Sequence, residues 1–182
     1  MKYLALLALL VLLSPATQAQ DERKTTMTAS KKSDRVSPQK SSTSTYGDLQ
    51  VNLEYSSPGV KNRNIWGELV PYGKVWRTGA NEASTIEFSR DVMIHGKRVR
   101  AGKYALFTIP GENEWQVILN TEPDQWGAFK YDEAKDAMRF SIKPEQTEFT
   151  ERLAIDANAD EQKKCIRIRL AWEKLSLSWE VQ

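Results

Sequence analysis

The sequence predicts an all-β fold, a single antiparallel β-sandwich of Ig-like or jelly-roll-like kind over residues 46–182. Three observations predict it. Apolar residues recur at every second position through most of this stretch, the spacing of half-buried strands. Turn-forming residues interrupt that pattern about every ten residues. Helical spacing is absent except for one turn around Asp132 to Ala137.

Ahead of the domain lie two segments of different chemistry. In MKYLALLALLVLLSPATQAQ, Lys2 precedes an apolar run from Leu4 to Leu13, a Ser-Pro break, and small residues up to Ala19. This is the pattern of a secretory signal peptide over residues 1–19, with cleavage after Ala19 and a periplasmic or secreted destination. The run is shorter than the about 20 residues a bilayer span needs, so no transmembrane segment is expected in the mature chain. Residues 20–45 are Ser, Thr and Lys with almost nothing apolar, and cannot bury enough surface to offset ordering entropy. They read as a disordered tether. The single cysteine, Cys165, has no partner for a disulfide and reads as a small buried hydrophobe. The domain's stability must therefore come from its apolar core.

Charge is divided unevenly. Six basic residues against three acids give residues 21–45 a charge of +3. With Lys2 also upstream, the chain total of +2 leaves the domain from Tyr46 onward at −2. The basic balance thus belongs to the tether, and no nucleic-acid partner is expected.

Each strand has its own justification. Leu49, Val51, Leu53 and Tyr55 alternate with polar residues until Ser57-Pro58-Gly59 stops the strand. Ile86 and Phe88 begin a second strand, and Val92-Met93-Ile94 leads to His95-Gly96, a two-residue hairpin turn of the type that needs positive φ. Tyr104 to Ile109 is apolar on both faces and therefore central. Pro110-Gly111 turns the chain into Glu114–Leu119, where Trp115, Val117 and Leu119 share a face. Met138, Phe140 and Ile142 form another strand, and Phe149, Glu151, Leu153 and Ile155 a further one with a charged break. Ile166, Ile168, Leu170 and Trp172 keep even phase; Leu175, Leu177, Trp179 and Val181 close the domain in odd phase.

Two irregular stretches interrupt the strands, Leu69–Thr85 and NTEPDQWGAFKYDEAKDA. The run Asn64-Ile65-Trp66-Gly67-Glu68-Leu69-Val70-Pro71-Tyr72-Gly73-Lys74-Val75-Trp76-Arg77-Thr78-Gly79-Ala80-Asn81-Glu82-Ala83 resembles the signature of the bacterial domain of unknown function family 2911. Ala101-Gly102-Lys103-Tyr104, Thr108-Ile109-Pro110-Gly111, Glu114-Trp115, Asp124-Gln125-Trp126-Gly127 and Ala171-Trp172-Glu173-Lys174 extend the likeness across residues 46–182. Asn62 stands where the family has Gly, and Phe107 where it often has His. The second departure removes a side chain that would have supported metal or acid–base chemistry. The resemblance implies an exported, mostly β domain of bacteria, common in the Bacteroidetes group, and brings no catalytic residue with it.

The chemistry the residues could carry is narrow. His95 is the only histidine and sits at a hairpin tip, so Ser-His-Asp and Cys-His sites are disfavoured. One His and one Cys cannot supply the three or four soft ligands of a zinc or copper site. Asp156, Asn158 and Asp160 match the first ligand positions of a calcium loop, but Glu161 replaces its Gly and Arg167 its closing Glu, leaving a polar hairpin loop. No cofactor or metal is expected. Glu68 and Glu82 beside Trp66 and Trp76 could form the carboxyl pair of a glycan-directed hydrolase, and that alternative stays open.

A binding role is the broader expectation, with a small molecule, glycan or envelope protein as partner. Its candidate residues are Trp66, Tyr72, Trp76, Arg77, Asn81, Glu82 and Trp126, because aromatic rings with a polar edge suit half-wet sites. The competing reading is physical too. Trp66 and Trp76 would plug the open end of the sandwich, above an Arg77–Glu82 ion pair. A purely structural envelope protein is the third possibility. Burial of Trp76 and Arg77 decides between plug and recognition surface.

Overall fold

The computed structural model describes residues 34–182. The expected signal peptide and the first part of the tether lie outside the described residues. Ten strands form the domain: β1 (Gln39–Tyr46), β2 (Leu49–Ser56), β3 (Ser84–Phe88), β4 (Val92–Ile94), β5 (Lys97–Val99), β6 (Gly102–Ile109), β7 (Trp115–Asn120), β8 (Asp136–Ile142), β9 (Glu145–Asp160) and β10 (Cys165–Val181). No α-helix occurs among the described residues; a 3₁₀ turn, Glu133–Lys135, stands where a helical turn was expected. The Asp132 side chain caps it by accepting from the Ala134 N–H at 3.0 Å.

Six strands make one antiparallel sheet in the order β1-β2-β3-β6-β7-β8. β6 lies inside it between β3 and β7, and is buried on both faces as its unbroken apolar run requires. The long β9–β10 hairpin packs across this sheet. The last residue of the chain, Gln182, exchanges two backbone hydrogen bonds with Met93 of β4, at 2.8 and 3.1 Å, joining the β4–β5 hairpin to β10. One core fills the space between the layers, with Leu49, Val51 and Leu53 on one side and Leu153, Ile155, Ile166, Ile168 and Leu170 on the other. The fold is the antiparallel β-sandwich that alternation predicts.

The folded domain begins earlier than expected. Residues 39–45 belong to β1, which pairs with β2 from Gln39↔Ser56 to Tyr46↔Leu49. Its Ser and Thr side chains bury little, which is why its composition reads as disorder; backbone pairing and position on a sheet edge hold it instead. Ser42 adds a tie to the second layer, its Oγ accepting from the Ala157 N–H at 3.0 Å.

Local backbone choices follow the residues that make them. His95 and Gly96 have φ of 47° and 72°, the two positive values of the tight hairpin turn between β4 and β5. Asn62, standing where the family resemblance has Gly, keeps φ at 56°, a value Asn tolerates better than other side chains. Phe107 is fully buried against Tyr131, with ring centroids 5.1 Å apart, so the position where His was the alternative is an interior one. The Asp156-Asn158-Asp160 series lies in strand β9 rather than in a loop, and Asp160 pairs with Arg167 at 2.8 Å. The turn itself is formed by residues 161–164.

Candidate functional site

The Leu69–Thr85 stretch is tied down along its length by backbone bonds that short strands leave available. Trp76 and Thr108 exchange two backbone hydrogen bonds, 2.8 and 2.9 Å, continuing the free side of β6 beyond its pairing with β3. Gly79 passes so close to β2 and β3 that a Cβ there would sit 3.0 Å from the Ser56 carbonyl oxygen and 2.9 Å from Ser84 Oγ. Thr78 is fully buried with φ of 52°, a strained value for a β-branched residue. Its Oγ1 lies 3.2 Å from Thr108 Oγ1, and its carbonyl accepts from Ser84 Oγ at 2.7 Å. The strain is held by these surroundings and fixes the backbone of the residue before it, Arg77.

Trp76 faces inward. It is 9% exposed, stacks on Trp172 with centroids 5.7 Å apart and planes 18° from parallel, and donates Nε1–H to the Gly79 carbonyl at 3.0 Å. Trp66 meets Trp76, Trp115 and Trp172 edge-on at 5.9, 4.7 and 5.6 Å. Four of the chain's six tryptophans thus form one aromatic cluster closing this end of the sandwich. Tyr72 is partly exposed and lies over Gly67.

Arg77 behaves differently from its neighbour. Its side chain is half-buried, and Nε has no hydrogen-bond partner among the described residues. Burial alone pulls its pKa below the ordinary arginine value; no carboxylate opposes the effect. The expected pairing with Glu82 is corrected, because Glu82 is taken by Arg35, whose Nη1 lies 2.7 and 2.9 Å from the two carboxylate oxygens. A residue outside the expected domain occupies the acid before Arg77 can. The Arg35 guanidinium also sits 5.9 Å from the ring centroid of Trp126. Trp126 is 59% exposed and lies beside Glu82 through an isolated antiparallel bridge. Asn81, with φ of 57°, spends its amide on Ser37 O and Ser56 Oγ, both at 3.2 Å.

The seven candidate residues therefore do not form one site. Trp76 is buried and Trp66 partly buried in the aromatic cluster, and Tyr72 is exposed. Glu82 and Trp126 form a surface group with Arg35, and Asn81 ties the chain before β1 to the end of β2. Arg77 lines a 280 Å³ cleft whose other walls include Trp76, Trp172, Lys61, Arg63 and Leu69. Arg63 is held there by bonds from Nε to Val60 O at 3.1 Å and from Nη2 to Gly59 O at 2.6 Å. Glu68 and Glu82 share neither partner nor cleft: Glu68 is exposed and accepts from Asn64 Nδ2 at 2.9 Å.

Lys61, Arg63 and Trp172 escaped the sequence reading. Lys61 and Arg63 follow the end of β2 in what reads as a plain turn, and Trp172 has the period-2 spacing of an ordinary core residue. Their meeting with Arg77 is made by tertiary packing and leaves no local signal. Among the described residues, no group of three or more His, Cys, Asp or Glu is placed to hold a metal ion. Nor is any helix there long and apolar enough to cross a membrane.

Comparison with known proteins adds one result. No curated protein and no solved structure matches the chain. The model of a family described as "Protein of unknown function (DUF2911)" matches residues 37–181, beginning two residues before β1 and ending with β10. The chain belongs to that family, and the family's domain takes in the edge strand that composition alone assigns to the tether.

Proposed function

We propose that this protein is an exported, non-catalytic binding module of the bacterial cell envelope, periplasmic or secreted, with its ligand site in the Arg77 cleft. The observation that carries the reading is Arg77 itself. A half-buried guanidinium that has, among the described residues, no partner for Nε and no carboxylate beside it is costly in a finished interior. A ligand that completes its hydrogen bonding would offset that cost. Export is supported by the leader pattern of residues 1–19.

The test is a thermal-shift survey of the exported chain against neutral sugars, amino acids, short peptides and organic acids. One class should raise the melting temperature in proportion to ln(1 + [L]/Kd). Arg77→Gln should abolish that shift without lowering the free protein's own melting temperature. A variant that unfolds would make Arg77 part of the plug. Export has its own check: the N-terminal sequence of the protein recovered from the periplasm or medium should begin at Gln20.

A second reading, docking of an envelope protein, is favoured by a different observation. Phe129 is 85% exposed beside exposed Trp126, on the loop between β7 and β8. A Trp126→Ala, Phe129→Ala double variant that loses the ligand response would move the site to that surface.

A further inference from the structure

The class of ligand can be taken further, on the footing that the Arg77 cleft is a ligand site. We propose that the cleft takes a small, singly charged organic anion, a carboxylate or its equivalent carrying an apolar body, in preference to a neutral glycan.

Charge is the first ground. Among the described residues Lys61, Arg63 and Arg77 line the cleft and no acidic residue does, although the domain around it carries net negative charge. A local concentration of cations in such a setting directs field toward the cleft and raises the local concentration of anions. Arg63, bonded to two carbonyls, is held in place, so its cation is positioned before any ligand arrives.

The inventory of unused polar atoms is the second ground. Arg77 lines the cleft with a guanidinium that can only donate, and its Nε has no partner among the described residues. Sugar hydroxyls donate as well as accept, and sites that hold them need side-chain acceptors to match. Among the described residues the lining offers one hydroxyl, Ser37, and no carboxylate or side-chain amide. An acceptor-only group suits this wall, and a carboxylate accepting from a guanidinium makes the stronger, charge-assisted bonds.

The remaining walls set the body of the ligand. Val36, Leu69, Val70, Trp76 and Trp172 give it an apolar lining with two aromatic residues. At 280 Å³ the cleft is just below the ~300 Å³ at which pockets for drug-sized ligands begin, so the ligand is small. Inorganic phosphate would satisfy the cations and leave the apolar walls unused.

The experiment is calorimetric titration of the exported full-length mature chain at low salt. The probes are phenylacetate and hexanoate, their neutral amides, maltose and inorganic phosphate. Each acid should bind about tenfold or more tightly than its amide, and more weakly as salt is added. Arg77→Gln should bring acid and amide together, while Arg77→Lys, which keeps the charge, should retain part of the difference and guards against a misfolded Gln variant. Amides that bind as well as acids, or maltose binding where the acids do not, overturn the anion assignment and leave the cleft a ligand site. Phosphate binding as tightly as the organic acids overturns the apolar body. No heat from any probe, in a folded wild-type protein, overturns both the assignment and the ligand reading it rests on.

Discussion

Replacing Trp76 by Ala removes an indole that is 9% exposed, stacked on Trp172, edge-on to Trp66 and hydrogen-bonded to Gly79. Truncating a buried large aromatic costs about 3–5 kcal/mol, and the cluster's mutual support places this site near the middle, at about 4 kcal/mol. For a domain of this size about 2–4 °C accompany each kcal/mol, so the melting temperature should fall by roughly 8–16 °C. Trp76→Phe keeps the apolar bulk but loses the stack's outer ring and one hydrogen bond, for a loss of about 1–2 kcal/mol. Trp126→Ala, at an exposed ring, should stay within about 0.5 kcal/mol. Urea unfolding followed by far-ultraviolet circular dichroism measures all three, with a constant m-value required for the comparison. If Trp76→Ala loses less than about 1 kcal/mol, the cluster is not a plug and the energetic reading of this end of the sandwich fails.

Three other perturbations probe different parts of the molecule. Gly79→Ala should cost about 1–3 kcal/mol, because the new Cβ would press on the Ser56 carbonyl; a neutral result in the same urea assay would mean that the loop can move away. Tyr131 is pushed up to about 12, first by burial and then by its hydrogen bond to Asp136. The folded state holds that proton more tightly than the unfolded chain, whose ordinary value is 10.0, so this stability is whole below pH 10.0 and is lost as pH rises toward 12. Melting temperature should therefore fall with pH across that window, less steeply in Tyr131→Phe; equal slopes would refute the linkage. Arg35→Ala should change stability by less than about 1 kcal/mol, since its pair with Glu82 is partly solvated, and its effect should shrink with added salt.

Much of the sandwich is legible in the sequence because strand identity there is carried by burial. β2, β3, β6, β7 and the first half of β10 bury one face or both, and their apolar spacing shows it. β1 is not legible for the converse reason: an edge strand of Ser and Thr is specified by backbone pairing, which leaves no apolar pattern. The site divides along the same line. The aromatic content of the Leu69–Thr85 stretch announces its importance, but whether a given Trp looks inward depends on which partners distant strands bring to it. Trp76 meets Trp172, separated from it by most of the domain, and Glu82 meets Arg35 from ahead of the expected boundary. Long-range pairing of that kind has no period to read.

Strand β10 changes phase in mid-course. Glu173, at φ of 57°, marks register shifts on either side of it, and inward positions pass from even numbers before it to odd numbers after it. One consequence concerns insertions and deletions. Removing one residue between Glu173 and Leu177 while the irregularity at Glu173 persists would turn Leu177, Trp179 and Val181 outward together, whereas removing Glu173 itself and healing the strand straight would keep all three inward. A single deletion is therefore compatible with the core at Glu173, where it takes up the phase change, and elsewhere in the second half of the strand needs a paired event. Its length is fixed by counting as much as by chemistry.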